Sequence, residues 1–163
     1  MKYPEIIQQK VFDLSQLQQQ ISRWKLLKKT ISFTNGCFDI LHQGHIASLS
    51  QAAAEADFLI VGVNADASVK KLKGENRPIN DQHSRSILIA SLIMVDAVVI
   101  FEEDTPLELI NLVMPDVLVK GGDYTLEQIV GAKEVMANGG RVVINPIVPG
   151  FSTSGLIKKI HAL

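Results

Sequence analysis

The segment Thr34-Asn35-Gly36-Cys37-Phe38-Asp39-Ile40-Leu41-His42-Gln43-Gly44-His45 joins a short apolar run, residues 31–34, to an Ala-rich stretch, residues 45–55. The apolar run predicts a strand, and the Ala-rich stretch predicts a helix because alanine favours helix. Glycines in the turn between them let the backbone approach a ligand closely. The start of the helix adds unpaired N–H groups and a partial positive charge, which together favour phosphate. The segment therefore predicts an anion-binding turn between a strand and a helix.

Strand-like and helix-like segments alternate along the rest of the chain. The strand-like segments are residues 31–34, 58–63, 97–101, 117–120 and 141–147, and most of the helix-like segments lie between them. This alternation predicts an α/β fold, a Rossmann-like doubly wound sheet of five parallel strands with helices on both faces. Ligands of such sheets bind outside the carboxyl ends of the strands, near the switch in strand order. We therefore expect each candidate site at a strand-to-helix junction.

Residues 1–30 are predicted to form an N-terminal helical extension ahead of a single sheet domain, residues 31–163. Apolar side chains recur at helical spacing from about residue 13 to 29, namely Leu14, Leu17, Ile21, Trp24 and Leu27. Asp13 is a candidate N-cap, with Gln16 three residues later as in a capping box. The apolar face of this helix packs on the domain or, as the alternative, binds a partner such as a second copy of the chain. A homodimer is therefore an expectation that the sequence leaves open.

Length, charge and cysteine content exclude several classes of protein. The chain has 163 residues, which suits one domain, and its 16 basic and 17 acidic residues argue against a generally basic nucleic-acid-binding protein. Cys37 is the only cysteine, which excludes an intrachain disulfide and four-cysteine metal sites. No signal-peptide pattern opens the chain, and its most apolar stretch, residues 87–101, is shorter than the ~20 residues of a membrane span. We therefore expect a cytoplasmic protein with no membrane or nucleic-acid partner.

Three strand-to-helix junctions carry glycine-rich or hydroxyl-rich turns. In the first, His42 and His45 flank a glycine at a predicted helix start, where two imidazoles can donate hydrogen bonds to phosphate oxygens. The second is Lys120-Gly121-Gly122-Asp123-Tyr124, and the third is Gly150-Phe151-Ser152-Thr153-Ser154. Taken singly, these residues could also be helix caps, and Cys37 with the two histidines could bind zinc, although no fourth ligand is spaced nearby. The sequence favours a phosphate site over a resident metal ion.

The three turns, in this order and each after a predicted strand, resemble the nucleotidyltransferase superfamily with the His-x-Gly-His motif. The resemblance implies that His42 and His45 bind the oxygens around the α-phosphorus of a nucleoside triphosphate. It also implies that the turn at residues 120–124 contacts the nucleoside and that the turn at residues 150–154 binds the β- and γ-phosphates. The implied cofactor set is ATP as substrate, with Mg²⁺ carried on the triphosphate rather than in a carboxylate cage.

Four segments narrow the resemblance to one branch of that superfamily, the heptose-1-phosphate adenylyltransferases. They are residues 33–39, 74–80, 101–106 and 119–124, and the resemblance covers residues 10 to 161. It implies transfer of AMP from ATP to D-glycero-β-D-manno-heptose 1-phosphate, giving ADP-heptose and pyrophosphate for the lipopolysaccharide core. In many members this domain follows a sugar kinase, and for this chain we expect the stand-alone form. Cytidylyltransferase relatives have an arginine shortly before the last turn, where this chain has Ile147-Val148-Pro149-Gly150.

The same resemblance implies a role for each candidate site residue. The implied catalytic residues are His42, His45 and Lys73. The implied nucleotide contacts come from the three turns, namely Cys37, Phe38, Gly44, Gly121, Gly122, Asp123, Ser152, Thr153 and Ser154. The implied contacts to the second substrate, a sugar 1-phosphate, are Asn35, Asp39, Lys70 and Arg85. Several of the basic residues lie within residues 70–85, which form either a solvated surface or a lid that brings positive charge to two mutually repelling anions.

Two alternatives to this function stay open. The first is the same chemistry on another small phosphate, such as glycerol-3-phosphate, phosphoethanolamine or phosphopantetheine, with CTP or ATP, because motif spacing does not choose the base. The second is a non-catalytic nucleotide-binding module, which would keep the turns but lose the histidines or the lid lysines, and both are present. Class I aminoacyl-tRNA synthetases share the histidine motif but also need a Lys-Met-Ser-Lys-Ser loop, which the sequence lacks.

Overall fold

The computed structural model describes residues 4–122, 124–146 and 150–162, and within these ranges it forms a six-stranded parallel sheet. The strands are β1 Val11–Phe12, β2 Ile31–Gly36, β3 Phe58–Asn64, β4 Ala97–Phe101, β5 Val117–Gly121 and β6 Arg141–Asn145. Their order in the sheet is β1-β4-β3-β2-β5-β6, so β2 lies between β3 and β5 and the direction of winding reverses there. Open α/β sheets bind ligands at this reversal. The predicted α/β doubly wound fold is confirmed.

Helices connect the strands and cover both faces of the sheet. They are α1 Ile6–Gln9, α2 Leu14–Leu26, α3 Gln43–Ala53, α4 Asp66–Lys73, α5 Gln82–Ala90, α6 Leu107–Val113, α7 Ala132–Ala137 and α8 Thr153–His161, with a 3₁₀ turn at Leu126–Gln128. Asp13 caps α2 as predicted, since its Oδ1 accepts a hydrogen bond from the Gln16 N–H at 2.7 Å. Gln16 Oε1 accepts in turn from the Asp13 N–H at 3.2 Å, which completes the capping box.

Three predicted helices differ from those in the structure. The helix that the pattern predicts from Asp81 to about Val95 is capped by Asp81 but ends at Ala90. The helix predicted over residues 13–29 ends at Leu26, and Lys28, just beyond it, has a φ of +56°. The sequence pattern of residues 128–138, with Gly139 as a stop, predicts one continuous helix. In the structure a 3₁₀ turn at Leu126–Gln128 is separated from α7, because Gly131 between them has a φ of +84°. A right-handed helix cannot continue through a residue in this left-handed region.

The sheet has one strand more than the five predicted, and the extra strand comes from the N-terminal segment. Val11 pairs with Val98 and Phe12 with Val99, so β1 is the edge strand beside β4. A strand of two residues carries no hydrophobic periodicity, so the sequence pattern did not reveal it. Residues 1–30, expected as a helical extension, thus contribute a strand to the sheet of residues 31–163.

Helix α2 packs into the core of the same sheet. The Trp24 ring stacks on that of Phe58, with centroids 4.3 Å apart and planes 12° apart. Neighbouring residues Leu59 and Ile60 of β3 belong to separate buried clusters, because successive side chains of a strand point to opposite faces. The cluster of Ile60 also contains the apolar side chains of α2, namely Leu17, Ile21 and Trp24. None of the helices in the described ranges combines the length and apolar character needed to cross a membrane.

We expect Leu17→Ala to destabilise the whole chain. Leu17 is fully buried, so its truncation removes apolar contacts and leaves a cavity, which costs about 2–5 kcal/mol of the free energy of unfolding. Trp24 is the only tryptophan, so its fluorescence reports α2 while circular dichroism reports the whole chain during urea denaturation. Both signals should shift together to lower urea.

The matched control is Leu26→Ala, because Leu26 lies on the same helix but is 83% exposed. This variant should unfold within about 0.5 kcal/mol of the wild type. A fluorescence transition that precedes the circular dichroism transition would show instead that the N-terminal segment unfolds as a separate extension.

Candidate active site

Three adjoining cavities open at the carboxyl ends of β2 and β5, and among the described residues His45 alone lines all three. The hydroxyl cavity, of about 380 Å³, is lined by Cys37, Phe38, Asp39, His42, His45, Lys73, Arg77, Phe151, Ser152, Thr153 and Ser154. The glycine cavity, of about 170 Å³, is lined by His42, Gly44, His45, Ser48, Gly121, Gly122, Pro146 and Phe151. The lysine cavity, of about 260 Å³, is lined by Thr34, Asn35, Gly36, Cys37, Phe38, His45, Ser48, Leu49, Lys120, Gly121 and Tyr124.

The hydroxyl cavity brings together turns that lie more than a hundred residues apart in sequence. The histidine turn after β2 forms one wall, and the start of α8 forms another. Ser152 is the N-cap of α8, and its Oγ accepts a hydrogen bond from the Gly155 N–H at 3.0 Å. Lys73, at the end of α4, and Arg77, in the loop beyond it, add positive charge to the same cavity. Unpaired helix N–H groups, hydroxyls and two cations together form a binding site for a polyanion.

The two histidines form a stacked pair at the start of α3. Their ring centroids are 3.8 Å apart, and the backbone N–H of His42 donates to Nδ1 of His45 at 3.3 Å. Because Nδ1 accepts, the neutral His45 ring carries its proton on Nε2, which leaves Nε2–H as a hydrogen-bond donor. Burial, with a smaller effect of the neighbouring His42, lowers the pKa of His45 to about 4, and burial also lowers the pKa of His42. Both rings are therefore neutral near pH 7.

Gly44, between the two histidines, is packed so tightly that a side chain there would require its neighbours to shift. A Cβ on Gly44 would lie 3.0 Å from His42 Nδ1 and 3.2 Å from the Phe151 Cβ. Gly122, across the glycine cavity, has a φ of +129°, a conformation that residues with a side chain rarely adopt. The missing side chains leave backbone exposed on two sides of the glycine cavity, so a flat ligand can approach it closely.

Asp39 is buried and binds the loop that follows α4. Its carboxylate accepts hydrogen bonds from Arg77 Nε, from the Ile79 N–H at 2.7 Å and from the Asn80 N–H at 3.0 Å. Asn80 Nδ2 donates in addition to the Asp39 carbonyl at 2.7 Å. The carboxylate predicted to contact the second substrate is therefore occupied by the chain itself, and it positions Arg77 at the hydroxyl cavity.

Arg85, also predicted as a substrate contact, lies beneath the cavities and lines none of the three. Its side chain is fully buried, and Nη2 donates to the Asn64 carbonyl and to the Asp66 carboxylate, each at 2.7 Å. Nη1 donates to the Cys37 carbonyl at 2.5 Å, and Nε donates to the Asn80 carbonyl at 3.0 Å. These bonds join the ends of β2 and β3 to the loop before α5. In this structure Arg85 therefore positions the backbone of the histidine turn and does not line a cavity itself.

The remaining predicted residues divide between the cavities and their surroundings. Lys73 lines the hydroxyl cavity and Asn35 the lysine cavity, whereas Lys70 is exposed and lines none of the three. Asp123 lies outside the described residues, as does the segment at residues 147–149 that replaces the arginine of cytidylyltransferase relatives. Within the described ranges, no three His, Cys, Asp or Glu side chains group together as metal ligands.

Sequence reasoning assigned no individual role to nine of the lining residues, among them Ser48, Arg77, Lys120 and Phe151. Lys120 and Phe151 belong to turns already identified as unusual, and Arg77 belongs to the basic segment, so their positions gave a signal. Ser48 lies three residues after His45, and helical spacing places both on the same side of α3. A Cβ on Gly121 would lie 3.1 Å from the Ser48 Oγ, so this serine reaches the turn after β5.

The chain belongs to the cytidylyltransferase-like family, whose sequence model matches residues 33–159. This match includes all three turns and confirms the resemblance inferred from them. The fold is also that of a pantoate-beta-alanine ligase from Francisella tularensis, with a TM-score of 0.62 at 15% sequence identity, over 94% of this chain and 78% of that one.

Comparison with individual proteins gives closer similarities than the family model. The chain is 51% identical over 152 residues to the bifunctional protein HldE of Mesorhizobium japonicum, a match that covers 93% of this chain and 31% of that protein. It is 52% identical over 156 residues to the bifunctional protein HldE of Koribacter versatilis, covering 96% and 32%. The chain thus spans about a third of the length of these curated relatives. The lipopolysaccharide core biosynthesis protein from Thermoplasma volcanium GSS1 is 31% identical, with a TM-score of 0.59 over 74% of this chain and 97% of that one.

We expect the His45 imidazole to titrate near pH 4, far below the ordinary value of 6.5, because burial and His42 disfavour its charged form. An NMR titration of the ring protons measures this pKa, and His45→Gln identifies the signal by removing it. The unfolded chain takes up this proton first, so the free energy of unfolding falls as the pH drops from 6.5 toward 4. In His45→Gln, the loss of unfolding free energy between pH 6.5 and 4 should be smaller than in the wild type. An NMR titration midpoint of His45 at pH 6.5 or above would contradict the burial seen in the structure.

Proposed function

We propose that this chain transfers AMP from ATP to D-glycero-β-D-manno-heptose 1-phosphate, giving ADP-heptose and pyrophosphate for the lipopolysaccharide core. The observation that carries the proposal is the meeting of three cavities at His45. The choice of substrate is supported by about 50% identity to the bifunctional HldE proteins and by the likeness to the lipopolysaccharide core biosynthesis protein from Thermoplasma volcanium. Direct transfer requires the nucleoside, the triphosphate and the second substrate to be bound at the same time. The three cavities offer a separate place for each of them.

The hydroxyl cavity suits the triphosphate of ATP. Hydroxyls of Ser152 and Thr153 and the N–H groups at the start of α8 would bind the β- and γ-phosphates. Lys73 and Arg77 would offset the negative charge, and Mg²⁺ would enter as part of the substrate, MgATP. Cations at this position also reduce the repulsion between ATP and the second anion.

The glycine cavity suits the nucleoside. The rings of His42 and Phe151 line the glycine cavity, with centroids 6.5 Å apart. Their faces would provide stacking surfaces for a planar base. Gly121 and Gly122 let a ribose or base approach the backbone. With the base there and the β- and γ-phosphates in the hydroxyl cavity, the α-phosphorus would lie at His45, which lines both.

The reaction is a single displacement at the α-phosphorus. An oxygen of the sugar 1-phosphate forms the new bond to this phosphorus, and the bond to the oxygen that bridges the α- and β-phosphates breaks, so pyrophosphate leaves with that electron pair. The attacking oxygen is already anionic, so no general base is required. The His45 Nε2–H, with the His42 ring beside it, would donate hydrogen bonds to oxygens that gain charge in the transition state.

The substrate assignment is tested by a panel of nucleotides and phosphates with pyrophosphate release as the readout. ATP with the heptose 1-phosphate should give a kcat/KM at least tenfold above that of CTP with the same sugar. With ATP, the heptose 1-phosphate should exceed glycerol-3-phosphate, phosphoethanolamine and phosphopantetheine in kcat/KM by a larger factor. Faster release with any of these rivals would assign the same chemistry to another substrate, and no release with any pair would refute transfer itself.

We expect His45→Ala to lower kcat by about 10²–10³, the usual cost of removing one hydrogen-bond donor to a transition-state oxygen. The matched control is His83→Ala on α5, because His83 is exposed and lines none of the three cavities. The control should keep wild-type turnover, and circular dichroism should show that both variants fold. Near-full turnover of folded His45→Ala would contradict the role given to the histidines.

A further inference from the structure

Lys120 is a cation of the site that has no role in the displacement described above. It lies near the end of β5, half-buried, and lines the lysine cavity. Its Nζ donates to the Asn35 Oδ1 at 3.3 Å and lies 5.8 Å from the centre of the Tyr124 ring. These two neighbours hold the ammonium group beside the lysine cavity, which shares Cys37 with the hydroxyl cavity, whereas Lys120 does not line the hydroxyl cavity.

The surroundings of Lys120 favour an anionic ligand. An ammonium group has three N–H donors, and Asn35 uses one of them. In the ranges that the structure describes, no carboxylate lies within 4.0 Å of Nζ. Burial lowers the pKa of Lys120, which means that its positive charge is poorly solvated beside the cavity. A bound anion would replace the lost hydration and stabilise that charge.

The reaction needs two separate anion sites that meet at one phosphorus. Lys73 and Arg77 line the hydroxyl cavity, which has the helix start and hydroxyls that a triphosphate requires. Lys120 lines the lysine cavity, whose other polar groups include the Asn35 amide and the Ser48 hydroxyl. Because the two cavities share His45, an anion beside Lys120 would lie next to an α-phosphate bound at His45.

We propose that Lys120 binds the phosphate of the sugar 1-phosphate and that the lysine cavity is the subsite of this second substrate. Asn35 positions the ammonium group and offers its amide to the sugar. The inference rests on the proposed function, since it assigns one of the two substrates of that reaction to a place in the site. It predicts that the charges of Lys120 and Lys73 act on different substrates.

The test compares KM values for the two substrates in two pairs of variants. Lys120→Met should raise KM for the heptose 1-phosphate roughly ten- to a hundredfold, the effect of losing one charge-assisted hydrogen bond, and change KM for MgATP by less than twofold. Lys120→Arg keeps the charge and should recover most of the loss. In Lys73→Ala, the KM for MgATP should rise, whereas the KM for the heptose 1-phosphate should change little. Exposed Lys133→Met and Lys71→Ala, near them in sequence, should leave both KM values unchanged.

A second readout does not require turnover. Cys37, the only cysteine, lines both the hydroxyl and the lysine cavities, so its modification by a thiol reagent reports occupancy of either one. Inorganic phosphate should slow this modification in the wild type and in Lys73→Ala but not in Lys120→Met, while MgATP still protects Lys120→Met. Thermal unfolding confirms that each variant is folded.

The results separate the inference from the function on which it rests. An unchanged KM for the heptose 1-phosphate in Lys120→Met, or an equal rise in both KM values, would overturn the assignment of Lys120. Protection of Cys37 by inorganic phosphate that is kept in folded Lys120→Met but lost in folded Lys73→Ala would place the phosphate in the hydroxyl cavity and overturn the assignment as well. A wild-type chain that releases no pyrophosphate would refute the proposed function, and the phosphate protection of Cys37 would still decide whether Lys120 binds an anion.

Discussion

The guanidinium of Arg85 is fully buried and donates hydrogen bonds to the carbonyls of Cys37, Asn64 and Asn80 and to the Asp66 carboxylate. These partners belong to the turn after β2, the end of β3, the loop before α5 and the start of α4. A buried charge is stable only when its donors are paired, so the four segments are constrained to meet around it. Asp39 extends the constraint to the loop that carries Arg77. The histidine turn and the loop that carries Arg77, which form one part of the hydroxyl cavity, are thereby held together by the chain itself.

Within this site, positively charged lysine and arginine side chains lie in different places from the neutral histidine rings. Lys73 and Arg77 line the hydroxyl cavity and Lys120 lines the lysine cavity, whereas burial favours the neutral form of the stacked His42 and His45 rings, of which His45 lines both cavities. In the proposed reaction, the cations would draw two mutually repelling anions together, and the neutral donors would act on the charge that develops between them. Since the His42 N–H fixes which nitrogen of His45 carries the proton, the donor is oriented without help from the substrate.

The sequence predicted the parallel sheet and the three turns, because alternating strand and helix patterns and glycine or hydroxyl turns are local features. It did not predict β1, whose two residues become a strand only through pairing with β4. The family resemblance implied substrate contacts for Arg85 and Asp39, but a charged residue near a motif does not reveal which polar groups of the chain itself it binds. In the structure Arg85 donates to backbone carbonyls, and the Asp39 carboxylate accepts from Arg77 and two backbone N–H groups. Lys120 lies within a recognised motif, but the sequence suggested no individual role for it. The cavity that Lys120 lines is formed largely by residues of β2 and α3, which lie far earlier in the chain.

The central claim is a single displacement in which the second anion reaches the α-phosphorus directly while both substrates are bound beside His45. The stereochemistry at that phosphorus tests it most directly. ATP made chiral by a sulfur on the α-phosphorus would be converted with the heptose 1-phosphate, and the configuration of the resulting nucleoside diphosphate sugar would be determined. One direct displacement predicts inversion. Retention would require two displacements through a covalent intermediate on the protein, with a histidine as the attacking group, and would contradict the account.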